Sequence, residues 1–180
     1  MRDEGWVEAV HEFWFGLAYE EWFGLHPELD GRIRREFSPL HAELAANTPP
    51  LTHPRQSVAL TVALDQFPRN MYRGHPAEYA TDPVALARSL AALDAGFDAA
   101  LSREERLFLY MPLQHSESLE AQERSVALFA ALGIEDAAEA ACEHRDIIRR
   151  FGRFPHRNAI LGRRSTREEM EFLETARPFQ

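Results

Sequence analysis

The chain has 180 residues, 45% of them hydrophobic and 11% aromatic, which is enough for one domain with a sizeable core and excludes a disordered or low-complexity chain. A formal charge of −9 argues against general nucleic-acid binding. No apolar run approaches the ~20 residues that a membrane-spanning helix needs, and no signal sequence is visible, so a cytoplasmic protein is expected.

Trp6, Val7, Val10, Phe13, Trp14 and Leu17 recur at helical spacing and predict a first helix over about residues 4–18. Phe13-Trp14-Phe15 is wider than one face needs, so part of it should pack on a neighbouring helix. Trp22 and Phe23 follow in a turn that covers the core edge. A second helix starts at Pro27 on the stripe Leu29, Ile33, Phe37, Leu40 and Leu44, and ends at Asn47-Thr48-Pro49-Pro50. Pro54 opens a third, with Val58, Ala59, Val62, Ala63 and Phe67 on its face. Pro68 is expected to interrupt it, leaving Arg69 to Tyr72 as a short re-aimed turn closed by Gly74.

Thr81-Asp82-Pro83 reads as a helix start with Thr81 as N-cap, and Gly96 as its stop. Ser102 and Glu105 form a capping box for the next helix, which Pro112 should break or kink just before His115. A helix from about Ser118 runs to Gly133, and another from about Glu135 to Gly152. Ser165/Glu168 and Thr166/Glu169 offer overlapping capping boxes for a last helix. No segment alternates with period two, so the fold class is all-α, a single domain over residues 1–180 with about 7–9 helices in antiparallel pairs.

Two segments stand apart. Asp65-Gln66-Phe67-Pro68-Arg69-Asn70 and Phe151-Gly152-Arg153-Phe154-Pro155-His156-Arg157-Asn158 each run Phe-Pro and then Arg-Asn within three residues. With Leu64 to Gly74, Tyr110-Met-Pro-Leu-Gln-His-Ser-Glu117, His144 and Leu161-Gly-Arg163, they resemble the bacterial family of unknown function DUF924 over nearly the whole chain. The resemblance implies a tetratricopeptide-like superhelix of helix pairs and brings no established activity. Ala46 to Pro54 departs most from the family pattern.

These segments mix aromatics that favour burial with arginines that resist it. Asp65 and Arg69, Arg69 and Arg73, and Gln66 and Asn70 are four apart, so a helix would align them as a polar ridge. One reading is an internal clamp that satisfies the carbonyls Pro68 leaves without donors. The other is that Arg69 and Arg73 hold an anion, with Asp65 orienting one of them. The second segment divides the same way. Arg153, Arg157, Asn158 and Arg163 form either an anion site or a plug whose guanidiniums cap helix C-terminal carbonyls.

His115, His144 and His156 are candidates for general acid–base work, with Asp65 and Glu117 to orient them; the alternative is buried histidines bonded to backbone carbonyls. Their spacing matches no metal motif, and no P-loop or dinucleotide fingerprint is present, so no metal or cofactor is expected. The lone Cys142 excludes an intramolecular disulfide, fits a reducing compartment and reads as a small core residue.

The leading expectation is a small anionic ligand, bearing phosphate or carboxylate, in an Arg/His-lined groove that also includes Gln66 and Asn70, with catalysis left open. The alternative is a non-enzymatic helical scaffold that grips an acidic peptide or protein. All 20 basic residues are arginine, and eight of them lie between His144 and Arg167 beside one acid, Asp146, leaving about −16 on the remainder. RNA binding through that window ranks last, because the remainder would repel it. Aromatics near Trp14 and Trp22 would suit a homodimer.

Overall fold

The computed structural model describes residues 5–175, and these are helices and connecting turns, with no strand among them. Helices α1 (Gly5–Phe15) and α2 (Pro27–Ala46) precede a central rod. That rod is α3 (Pro54–Thr61), a π-helical turn (Val62–Gln66) and α4 (Phe67–Met71), joined end to end. Then come α5 (Asp82–Asp94), α6 (Arg103–Gln114), α7 (Leu119–Leu132), α8 (Glu135–Phe151) and α9 (Arg167–Thr175). Short 3-10 turns at Tyr19–Glu21, Pro76–Glu78, Phe97–Ala100 and Pro155–Arg157 link them.

The central rod is buried on every side from Gln56 to Pro68. A helix can vanish into a core only if neighbours surround it, and here α1, α2, α5 and α6 do so. Its aromatic contribution, Phe67, meets Phe13 at 6.1 Å, Trp14 at 5.8 Å and Phe37 at 4.6 Å between ring centroids. Trp14, Phe15 and Trp22 converge on Phe108 of α6. The wide aromatic run of α1 thus serves several neighbours. Beyond the main core, α7 packs between α6 and α8, and Ile147, Ile148 and Phe154 form a smaller cluster with Phe151 and Phe172.

Several boundaries differ from the sequence expectations. The first helix begins by Gly5, position 4 lying outside the described residues, and stops at Phe15, short of Leu17. Pro68 does not end the third helix. The π turn absorbs it: the Phe67 amide bonds back five residues to the Val62 carbonyl, and Pro68 then occupies the first turn of α4, where an amide hydrogen is dispensable. Pro112 likewise lies inside α6, which continues to Gln114.

The register shift and the missing Pro68 amide leave carbonyls without helical donors, and side chains from elsewhere replace them. His41 Nδ1 lies 3.0 Å from the Ala63 carbonyl, so Nδ1 carries the proton and donates. Thr81 Oγ1 donates to the Leu64 carbonyl at 2.6 Å. Arg69 Nη1 donates to the Asp65 carbonyl at 2.5 Å. Thr81 therefore does not cap α5 through its side chain; its hydroxyl is committed to the rod.

Replacing Thr81 by valine, which keeps shape and removes the donor, leaves the buried Leu64 carbonyl unsatisfied. The expected loss is about 1–3 kcal/mol, read as a lower urea midpoint with an unchanged slope.

Candidate functional site

The site grows from Asp65, whose side chain sits inside the π turn without exposure to water. Both carboxylate oxygens lie 2.9 Å from His115 Nδ1. Gln66 Nε2 donates to Oδ2 at 2.6 Å, and Arg69 Nη1 lies 3.2 Å from Oδ1. Arg69 also makes a two-pronged pair with Asp82, both contacts at 3.0 Å. Asp82 accepts in turn from Arg157 Nη1 at 3.3 Å. Asp65, Arg69, Asp82 and Arg157 thus form a chain of alternating charge. It ties the central rod to α5 and to the Pro155–Arg157 turn.

Local sequence explains each placement. Asp65 reaches inward because the π turn adds a residue and rotates the helix face. His115 is the C-cap of α6, one residue past the helix proper, so its ring can leave the helix axis. Asp82 opens α5, where its charge also faces the helix dipole favourably. Gly152 takes φ +69 to end α8, and the chain turns back through Phe154 to place Arg157. The Arg157 guanidinium is held between two rings, Tyr79 at 4.6 Å and Phe154 at 4.5 Å. Its Nη2 donates to the His115 carbonyl at 3.0 Å, while its buried Nε has no partner.

Burial and neighbouring charge set the protonation states. Burial pushes the Asp65 carboxyl up, but Arg69, His115 and Gln66 outweigh it and hold the group below the usual carboxylate range. Burial, with Arg69 beside it, pushes His115 down despite Asp65. His144 falls to about 4 through burial and the proximity of His115, and His156 to about 3 through burial and Arg157. Arg157 is itself lowered by burial and by Arg69. All three histidines are neutral near pH 7, and the carboxylates and guanidiniums are charged.

A cavity of about 430 Å³ opens beside this network. His115, Asp82, Arg157 and Glu117 line one part, and Tyr79, Leu86 and Leu161 supply apolar wall. The other expected residues lie around it in separate pairs. Asn70 Nδ2 and Arg73 both bind Asp30 at the start of α2, at 2.7 and 2.8 Å. Glu117 takes a two-pronged pair from Arg163 and the Phe154 amide, which buttresses the turn. Arg153 pairs with Glu169 at 2.6 and 2.9 Å, and Asn158 Nδ2 reaches the same carboxylate at 3.3 Å. His144 Nδ1 donates to the Ala140 carbonyl at 2.7 Å, its ring edge-on to Phe154. His156 packs against Phe154 from the other direction along the chain.

Asp82 and Tyr79 are the site residues that sequence reasoning missed. Asp82 was visible only as the first acid of a helix start, and Tyr79 belongs to a turn with no motif of its own. Among the described residues, no group of three or more His, Cys, Asp and Glu side chains has the geometry to hold a metal ion, and no helix is long and apolar enough to cross a membrane.

Fold and site together define an all-α protein whose most buried helix carries an Asp paired with a His from the end of α6, beside a small cavity. The chain belongs to the DUF924 family, bacterial proteins of unknown function, whose pattern it matches over residues 10–177. It is also similar to the solved structure of a protein of unknown function from Agrobacterium tumefaciens. The two are 38% identical, with a TM-score of 0.91 over 96% of this chain and 98% of that one. No curated protein matches the chain.

The protonation states predict a pH response. An unfolded histidine takes up protons near 6.5, whereas His144 and His156 resist until about 4 and about 3. The unfolded chain then binds more protons, so stability falls as pH drops below about 6.5. Glu169, held at about 2 by Arg153 and the Thr166 amide against an ordinary value of 4.5, extends the loss. Its stabilisation is complete above about 4.5 and disappears as pH falls through about 2. Thermal melts should show a midpoint that declines over both windows, with His144→Gln flattening the upper one and Glu169→Gln the lower.

Proposed function

We propose that the cavity beside His115 binds a small molecule bearing a carboxylate or phosphate, and that His115 exchanges a proton with it. The pairing of His115, in the cavity wall, with the buried Asp65 carries this reading. An ionised carboxylate accepts from Nδ1, which fixes the imidazole tautomer and leaves the lone pair on Nε2. A neutral imidazole with that lone pair free is a general base, and once protonated a general acid, with Asp65 stabilising the charge.

Arg157 supplies the contact for the anionic group. A guanidinium has five N–H donors, and Arg157 spends its hydrogen bonds on Asp82 and the His115 carbonyl. Its faces are covered by Tyr79 and Phe154, so the planar fork is already oriented, and little freedom remains to be lost on binding. Arg69 and Arg157 are balanced by Asp65 and Asp82. Recognition therefore rests on directed hydrogen bonds rather than on a net positive field. Leu86 and Leu161 would cover the apolar body of the ligand.

Arg73 and Arg153 take no part in this reading, since Asp30 and Glu169 occupy them. The cavity volume of about 430 Å³ falls in the range of small-molecule sites, which favours a metabolite over an extended acidic peptide.

A thermal-shift screen of phosphorylated and carboxylated metabolites tests the proposal. A ligand at 100 times its dissociation constant should add about 2.7 kcal/mol of stability. Arg157→Gln should remove the shift while the helical circular dichroism persists. His115→Gln should keep binding and lower any turnover by about 100-fold or more. A folded protein that responds to none of the screened anions would sink the idea.

A further inference from the structure

A second cavity, of about 390 Å³, shares no lining residue with the first. It lies where α1, the segment after it, α3 and the start of α6 meet, with His11, Phe15, Trp22, Glu12, Glu104 and Glu105 in its wall. His11 is only 3% exposed. Its Nε2 lies 2.8 Å from the Arg55 carbonyl, a group that can only accept, so Nε2 carries the proton and Nδ1 presents a lone pair. Burial, opposed by that carbonyl and by Glu105 and Glu8, pushes the imidazole down from its ordinary value and keeps it neutral near pH 7.

The Nδ1 lone pair faces another acceptor. Glu105 Oε1 lies 3.6 Å away, too far for a hydrogen bond. Neither group is free to turn elsewhere. Glu105 Oε2 accepts from the Ser102 amide at 2.8 Å in the capping box of α6, and His11 is anchored through Nε2. The nearby cation, Arg55, is engaged by Glu8 through Nε and Nη2, and its Nη1 stays 3.8 Å from Glu105. Two fixed acceptors thus face each other in a cavity whose other carboxylates are Glu12 and Glu104. A nitrogen about 2.9 Å from each would close the triangle over that edge, provided it brings at least two hydrogens.

The rest of the wall suits a cation with an apolar body. Trp22 is held in place by its indole N–H, which donates to the Trp14 carbonyl at 2.8 Å. Phe15 meets it edge-to-face at 6.1 Å, and Tyr19 and Phe23 continue the aromatic surface outward to solvent. Aromatic faces attract cations, and the neighbouring carboxylates reinforce the attraction.

We propose that this cavity binds a small organic ammonium ion, its N–H groups donating to His11 Nδ1 and Glu105 Oε1 and its apolar body lying against Phe15 and Trp22. The site takes the opposite charge to the cavity beside His115 and does not depend on the function assigned there.

The test is calorimetric titration of the full chain with phenethylammonium, and with 2-phenylethanol as the uncharged counterpart, followed in parallel by tryptophan fluorescence. Saturable binding of the ammonium at millimolar concentration or below is expected, with no binding of the alcohol over the same range. Glu105→Gln preserves the capping-box role of the position while removing its charge, and should weaken binding about tenfold or more. Trp22→Leu should also weaken it, and it keeps the test open if the Glu105 variant fails to fold. Equal binding of ammonium and alcohol, affinity unchanged in a folded Glu105→Gln protein, or no ammonium binding at all would overturn the proposal.

Discussion

Asp65 is an ionised carboxylate shut away from water in the middle of the most buried helix. Taking such a group out of solvent costs several kcal/mol, and the cost is offset only if its oxygens meet charge and donors in good geometry. Arg69, His115 and Gln66 supply them within 3.2 Å. Arg69 is then itself a buried charge with donors to spare, and Asp82 takes two of them. Asp82 draws in Arg157 from the far end of the sequence. Each partner is stable because the next is present. Removing one strands a buried charge, which is typically worth 3–5 kcal/mol and exceeds what the pair contributes when intact. The order in which α4, α5, α6 and the Pro155–Arg157 turn meet is therefore set as much by charge pairing as by apolar packing.

The π turn and Pro68 give this network its geometry. A regular helix through residues 58–71 would have satisfied its own carbonyls and needed nothing from its neighbours. The added residue and the missing amide open acceptors at Ala63 and Leu64, and His41 and Thr81 fill them. The Thr81 contact fixes the start of α5 against the rod, and the next residue is Asp82. One hydrogen bond made for the backbone thereby delivers the carboxylate that bridges Arg69 and Arg157. Local departures of this kind are common where a helix carries function, because they re-aim side chains that a regular helix would spread around its axis. Fold and candidate site share the same contacts here, so a variant at Thr81 or His41 touches both.

Much of the helical framework was legible in the sequence because its signals are local. The capping box Ser102/Glu105, the glycine stops at Gly96, Gly133 and Gly152, and the apolar stripes all act within a turn or two. Pro68 misled for a physical reason. Proline stops a helix that has no compensation, and at Pro68 the compensation comes from Thr81, His41 and the π turn, which lie in other elements or in a register shift that composition does not encode. The two Phe-Pro segments stood out because buried aromatics beside arginines create a conflict, and the conflict is real. Arg69 and Arg157 converge on one carboxylate. Their common partner could not be read. Asp82 lies 13 residues from one and 75 from the other, and no spacing rule connects them. Arg73 and Arg153 carry the same local signature yet pair outward with Asp30 and Glu169. Composition names the guanidiniums that need a carboxylate, and only tertiary structure says which one each receives.

Carboxylate pairing also governs the basic window from His144 to Arg167. As a linear pattern it is a dense block of positive charge in an acidic chain. In the fold, seven of its eight arginines have a carboxylate within 4 Å: Arg145 and Arg149 with Glu123, Arg150 with Glu168, Arg153 with Glu169, Arg157 with Asp82, Arg163 with Glu117 and Arg167 with Glu171. The exposed pairs among them contribute little to stability. Their effect on recognition is larger, because an incoming phosphate chain would have to displace a carboxylate from almost every arginine it met. A net charge counted along the sequence therefore overstates the field at the surface. All six of these acids come from the more acidic remainder, Asp82, Glu117 and Glu123 from before the window and Glu168, Glu169 and Glu171 from just after it. The window and the remainder neutralise each other, and α8 and the turn after it are held to the rest of the protein by that exchange. The buried Nε groups of Arg157 and Arg163 are left without a hydrogen-bond partner in this exchange, although both guanidiniums are paired with carboxylates.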